Sequence, residues 1–153
     1  MKPEFAKHLD KDSIITLKGR TKKEILDEII AFAATKSPLE RSQIETMVWK
    51  REKQMTTGVG MGLAIPHIRV PACDKPLVIV GLCANPVKDY KSMDNEPVTL
   101  VVFLAAGEEN QDEYLKLLGS ISSKLKNQDT IKAIMEQVRK PAKAHKILTS
   151  IEA

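Results

Sequence analysis

The sequence predicts an α/β fold, a three-layer α/β/α arrangement with a mixed central sheet, made as a single domain spanning residues 1–153. Three observations carry that expectation. A length of 153 residues fits one hydrophobic core. Stretches with apolar residues three and four apart alternate with short strand-like runs, as in a sheet covered by helices. Two of the runs, Leu77–Cys83 and Val98–Ala105, are apolar almost throughout, as central strands covered on both faces are.

In chain order, Ser13-Ile14-Ile15-Thr16-Leu17 suits a short strand that ends at Gly19. Thr21-x-x-Glu24 is a capping box ahead of Ile25, Leu26, Ile29, Ile30 and Ala33, which predicts a helix over about 22–35. Ser37-Pro38-Leu39-Glu40 looks like a second start, with serine as cap and proline at the first helical position, and the helix should run towards Lys53. Ile44, Met47 and Val48 define its inner face. Arg51 falls on that face, either covering apolar surface with its stem or meeting an anion. Gly58, Gly60 and Gly62 alternate in a loop suited to positive backbone dihedrals or close approach. Leu63-Ala64-Ile65 is a short strand stopped by Pro66, with Arg69 and Pro71 continuing in extended or loop form. Pro86 to Pro97 forms a crossing loop. After Gly107 a helix is expected with Tyr114, Leu115, Leu118, Ile121 and Leu125 as its stripe and carboxylates at its start. Two shorter helices, near Ile131–Val138 and Ala142–Ile151, complete the chain.

Composition removes several function classes. With 42% apolar and 29% charged residues the chain is not a disordered tail. No apolar run approaches the roughly 18 residues of a membrane span, and Met1 to Phe5 do not read as a secretory leader, so no membrane insertion and a cytoplasmic location are expected. Cys73 and Cys83 form no CxxC pair and no His/Cys cluster at metal spacing; reduced, buried thiols are expected and no metal site. The net charge of +4 comes from 24 basic residues mixed with 20 acidic ones, and aromatics are only 4%, so nucleic acid is not an expected partner. Dinucleotide and P-loop fingerprints are absent, because Leu63 stands where the last glycine of G-x-G-x-x-G belongs and Pro66 interrupts a helix.

Of the three histidines, His8 lies in a polar leader and His145 in a basic final helix; neither suggests chemistry. His67 follows the glycine loop, a short strand and a proline, so its ring is held at a strand end. Position alone leaves it either a structural imidazole or a reactive one. Met47, Met55 and Met61 read as packing residues, and Trp49 as a partly exposed structural one.

Lys50-Arg51-Glu52, then Thr57-Gly58-Val59-Gly60 and Gly62-Leu63-Ala64-Ile65-Pro66-His67, resemble the active-site segment of the fructose/mannitol-type IIA component of the phosphoenolpyruvate-dependent sugar phosphotransferase system. The resemblance extends from Leu9 to Ile151. Ser92 to Val98 and Leu115-Lys116-Leu117-Leu118 resemble the nitrogen-regulatory branch. This likeness implies that His67 accepts a phosphoryl group on Nε2 from a phosphorylated histidine carrier protein and passes it on, without a cofactor or metal. Arg51 would supply positive charge. Thr57, Gly58 and Tyr114 would lie against the phosphate, Tyr114 standing where the family commonly has a second histidine. A regulatory phosphocarrier acting on a target protein is the leading expectation. The alternatives are a IIA component for fructose or mannitol uptake, handing phosphate to a IIB component, and a binding module that has lost transfer.

Overall fold

The Thr21 hydroxyl accepts the Glu24 amide at 3.2 Å while the Glu24 carboxylate accepts the Thr21 amide, and helix α1 (Lys22–Lys36) starts on this box. Ile25, Leu26, Ile29, Ile30 and Ala33 are all buried, as their spacing requires. Burial of each larger side chain contributes roughly 1.5–3 kcal/mol. A computed structural model describes residues 3–71 and 75–150, so Cys73 lies outside the described residues. Two short 3-10 turns, Glu4–His8 and Lys11–Ser13, precede strand β1 (Ile14–Leu17).

The second helix, α2 (Arg41–Gln54), begins later than Ser37-Pro38 suggested. Ser37 Oγ instead accepts the Leu39 amide at 3.1 Å in a local turn, and Glu40 is the cap, paired reciprocally with Gln43. Strands β2 (Gly58–Gly60) and β3 (Leu63–Ala64) form an antiparallel hairpin where only a loop was expected before Leu63. Its turn needs Met61 at φ 55° and Gly62 at φ 79°. Gly58 serves another purpose: a Cβ there would lie 2.3 Å from the Lys91 carbonyl oxygen. Strand β4 (His67–Val70) takes the extended one of the two forms expected after Pro66.

Strands β5 (Leu77–Val87) and β6 (Val98–Gly107) form the centre of a mixed sheet in the order β1-β5-β6-β3-β2. β5 and β6 are antiparallel, β1 runs parallel to β5, and both β3 and β4 run parallel to β6, one after the other along the same side. Residues of β6 alternate between two cores. Leu100, Val102, Leu104 and Ala106 face α3 (Gln111–Leu125), α4 (Gln128–Met135) and α5 (Pro141–Thr149), while Val101, Phe103 and Ala105 face α1 and α2. This is the expected three-layer fold. In α3 the stripe differs in one place: Leu117 is buried and Leu115 is 54% exposed. Met55, expected to pack, is 70% exposed.

Candidate functional site

The two residues between β3 and β4, Ile65 and Pro66, place His67 as the first residue of β4, opposite Leu104 of β6. Side chains alternate along a strand, so Ile68 and Val70 enter the α1/α2 core, while His67 and Arg69 emerge on the side of α3. The ring thus sits at the seam of the layers, reached from α2 by Arg51 and from α3 by Tyr114.

Each ring nitrogen of His67 has one partner. Nδ1 lies 2.7 Å from the Ile65 carbonyl oxygen, which can only accept, so Nδ1 carries the proton. Nε2 therefore bears the lone pair, and Arg51 Nε–H donates to it at 3.2 Å. Arg51 Nη1 donates to the Met55 carbonyl at 2.7 Å, fixing the guanidinium at the last turn of α2. Burial depresses the His67 pKa below 6.5; the Ile65 bond opposes this and the Arg51 charge adds to it. The product is a neutral imidazole of defined tautomer, half-buried, with its nucleophilic nitrogen beside a fixed cation.

Tyr114 places its ring centroid 6.0 Å from that of His67, at 52°. Its side is largely buried, and burial raises the phenol pKa although both Arg51 and Arg69 pull it down, so the phenol stays a donor at neutral pH. The structure brings together Arg51, His67 and Tyr114. It places Thr57 and Gly58 differently. The Thr57 hydroxyl is buried between the Glu52 carboxylate and the Tyr90 hydroxyl, and the Gly58 amide donates to Thr56 Oγ1 at 3.3 Å. Both brace the hairpin behind the ring.

Two further residues belong to the site: Glu52, which stands in the family-like segment without a role of its own, and Arg69. Glu52, 6% exposed, binds Thr57, accepts from Tyr90 at 3.2 Å and pairs with Lys22 at 2.7 Å, tying α2 to α1 and the hairpin. It follows Val48 by four positions, so the helical period already pointed it inward. Arg69 lies with its Cζ 4.9 Å from the Tyr114 ring centroid and donates to the Glu108 carbonyl at 2.8 Å. Strand alternation from His67 would have found it. Of the other histidines, His145 Nε2 meets the Leu9 carbonyl oxygen at 3.1 Å and His8 ends the first 3-10 turn. Among the described residues no group of three His, Cys, Asp or Glu side chains could hold a metal ion, and no helix is long and apolar enough to cross a membrane.

Residues 7–151 match the family model described as "Phosphoenolpyruvate-dependent sugar phosphotransferase system, EIIA 2". A nitrogen regulatory protein of Bradyrhizobium diazoefficiens is 36% identical over 118 residues, which take in 77% of this chain and 76% of that one. Nitrogen regulatory protein IIA-Ntr from Neisseria meningitidis superposes with a TM-score of 0.83 at 24% identity, over 95% of this chain and 99% of its own. The structure of enzyme IIA mannitol with phosphorylated enzyme IIB mannitol from Escherichia coli gives a TM-score of 0.65 at 22% identity, covering 85% of this chain and 87% of that one. These two structures share the fold.

Proposed function

The chain belongs to the EIIA 2 family of the phosphoenolpyruvate-dependent sugar phosphotransferase system, and from that premise we propose that it is a cytoplasmic histidine phosphocarrier accepting phosphate on His67. One observation carries the reading: Nδ1 is tied to a carbonyl while the Nε2 lone pair meets the Arg51 guanidinium. The donor is a phosphorylated histidine carrier protein. A phosphorus–nitrogen bond forms at Nε2 as the bond to the donor's imidazole breaks, its electron pair returning to that ring, and Nδ1 keeps its proton on Ile65. The Arg51 N–H then passes from the lone pair to a phosphoryl oxygen. Tyr114 donates from the other side. Positioning and charge supply the catalysis, so no metal enters the step.

A regulatory role is favoured by the 36% identity with a nitrogen regulatory protein. Phosphorylation then changes the face that a target protein meets. The second reading, delivery to a IIB component during sugar uptake, is supported by the fold shared with enzyme IIA mannitol, whose partner in that complex is phosphorylated IIB.

The test is labelling with phosphoenolpyruvate, enzyme I and the carrier protein. An acid-labile adduct should form on the wild type and not on His67→Ala, whose circular dichroism should be unchanged. Full labelling of His67→Ala, or none on the wild type beside a competent IIA control, contradicts the proposal. Arg51→Ala should slow acceptance by roughly 10²-fold. Adding a cysteine-bearing IIB protein separates the two roles: label that leaves His67 for the cysteine supports transport.

A further inference from the structure

We propose that Arg69 is a second phosphoryl-binding cation of this site, a fixed positive charge held beside His67 by Tyr114 and by the Glu108 carbonyl. The inference rests on phosphorylation of His67 and adds a ligand to it. His67 and Arg69 are two residues apart on β4, so they leave the sheet on the same face, and both lie within 6.0 Å of the Tyr114 ring. Three constraints hold the guanidinium still: the strand, the aromatic face and the bond from Nη2 to Glu108.

Its charge is uncompensated. Among the described residues no carboxylate lies within ion-pair distance of Arg69 or Arg51. Glu108 and Glu109 are exposed in the turn between β6 and α3 and Asp112 is exposed in the first turn of α3, and Glu108 offers Arg69 only its backbone oxygen. Arg69 Nε is buried without a hydrogen-bond partner, an unusual vacancy for so strong a donor. Two guanidinium groups without a carboxylate partner both act on the Tyr114 phenol, Arg51 also holding the His67 nitrogen, and they repel each other until an anion arrives between them; a phosphoryl group carries two negative charges with three acceptor oxygens. Arg51 engages the nucleophilic nitrogen itself, whereas Arg69, across Tyr114, is placed for the oxygens that project beyond it. The pair of side chains Arg69 and Tyr114 thus provides a permanent cation and a neutral donor.

The experiment reads the equilibrium of phosphoryl exchange between the carrier protein and this chain, because an equilibrium position reflects the stability of phospho-His67 and is indifferent to how well the two proteins dock. Arg69→Gln should shift it away from His67 about tenfold, Arg69→Lys should recover part of the loss, and the ³¹P resonance should move in Arg69→Gln. The same Arg69→Gln shift should persist in a Tyr114→Phe background. If it disappears there, Arg69 only orients the phenol and the proposal fails. An unchanged equilibrium in Arg69→Gln also overturns it while leaving the phosphocarrier reading intact. Absence of label on the wild type removes both.

Discussion

His67 joins two demands that usually conflict, since a good nucleophile must be neutral while its product must sit among cations. Burial first, and the Arg51 charge after it, resolve this by lowering the ring's pKa. The sign of the pH effects follows. The unfolded ring has a pKa of 6.5, so above that value both states are neutral and stability is unaffected. As the pH drops through the interval between 6.5 and the lower folded value, the unfolded chain binds the extra proton and stability declines. Phosphoryl acceptance should therefore still exceed half of its plateau rate at pH 6.5, with the midpoint of its acid limb below that value. An NMR titration of the imidazole should give a midpoint below 6.5. In Arg51→Ala the midpoint should rise, and the acid limb of acceptance should rise with it. A wild-type midpoint above 6.5 would show that the ring is instead stabilised as a cation.

At the scale of elements, α2 and the β2–β3 hairpin are joined through one buried carboxylate. Glu52 faces the Lys22 ammonium, the Thr57 hydroxyl and Tyr90, whose own pKa is pushed well up, first by burial and then by the Glu52 charge. Removing one partner of such a group leaves the others desolvated and unmatched. Glu52→Ala should cost about 3 kcal/mol in urea unfolding and Glu52→Gln noticeably less, with acceptance by His67 slowed in the alanine variant because the hairpin loses its anchor to α2. Gly58→Ala should cost about 1–3 kcal/mol, since the added methyl meets the Lys91 backbone and neither side can yield easily. Much of this level was legible in the sequence. The Thr21 box, the apolar central strands and the three glycines each announced a local geometry that tertiary contacts then kept. The roles of Glu52 and Arg69 were not legible because a charged residue inside an apolar pattern looks solvated until a partner is seen, and their partners come from distant segments: Lys22 and Tyr90 for one, Tyr114 and Glu108 for the other. The start of α2 was misplaced for a related reason, as Ser37 and Glu40 both offer capping oxygens and the packing of α2 against α1 chose the later one. Leu115 shares the apolar character of Leu117, and only the rotation of α3 on the sheet decides which of them is covered.

Across the whole molecule, the sheet separates a chemical edge from an inert interior. Cys83 lies in the core beneath α1, and burial pushes its thiol up to about 12, with Glu28 adding to the shift. In a Cys73→Ser background it should resist alkylating reagents in native buffer and react only at the rate of unfolding once denaturant is added; rapid native labelling would mean that this core opens readily. The seam at which His67 stands has its own bearing on how the chain can vary. β3 and β4 occupy one row beside β6, and only Ile65 and Pro66 separate them. A residue gained or lost there would invert the alternation of everything downstream, turning the imidazole into the oil beneath α2 and Ile68 out towards Tyr114. Length changes in descendants of this gene should accordingly be sparse between Leu63 and Val70, a stretch where the chain's arithmetic, more than its chemistry, sets what can be inherited.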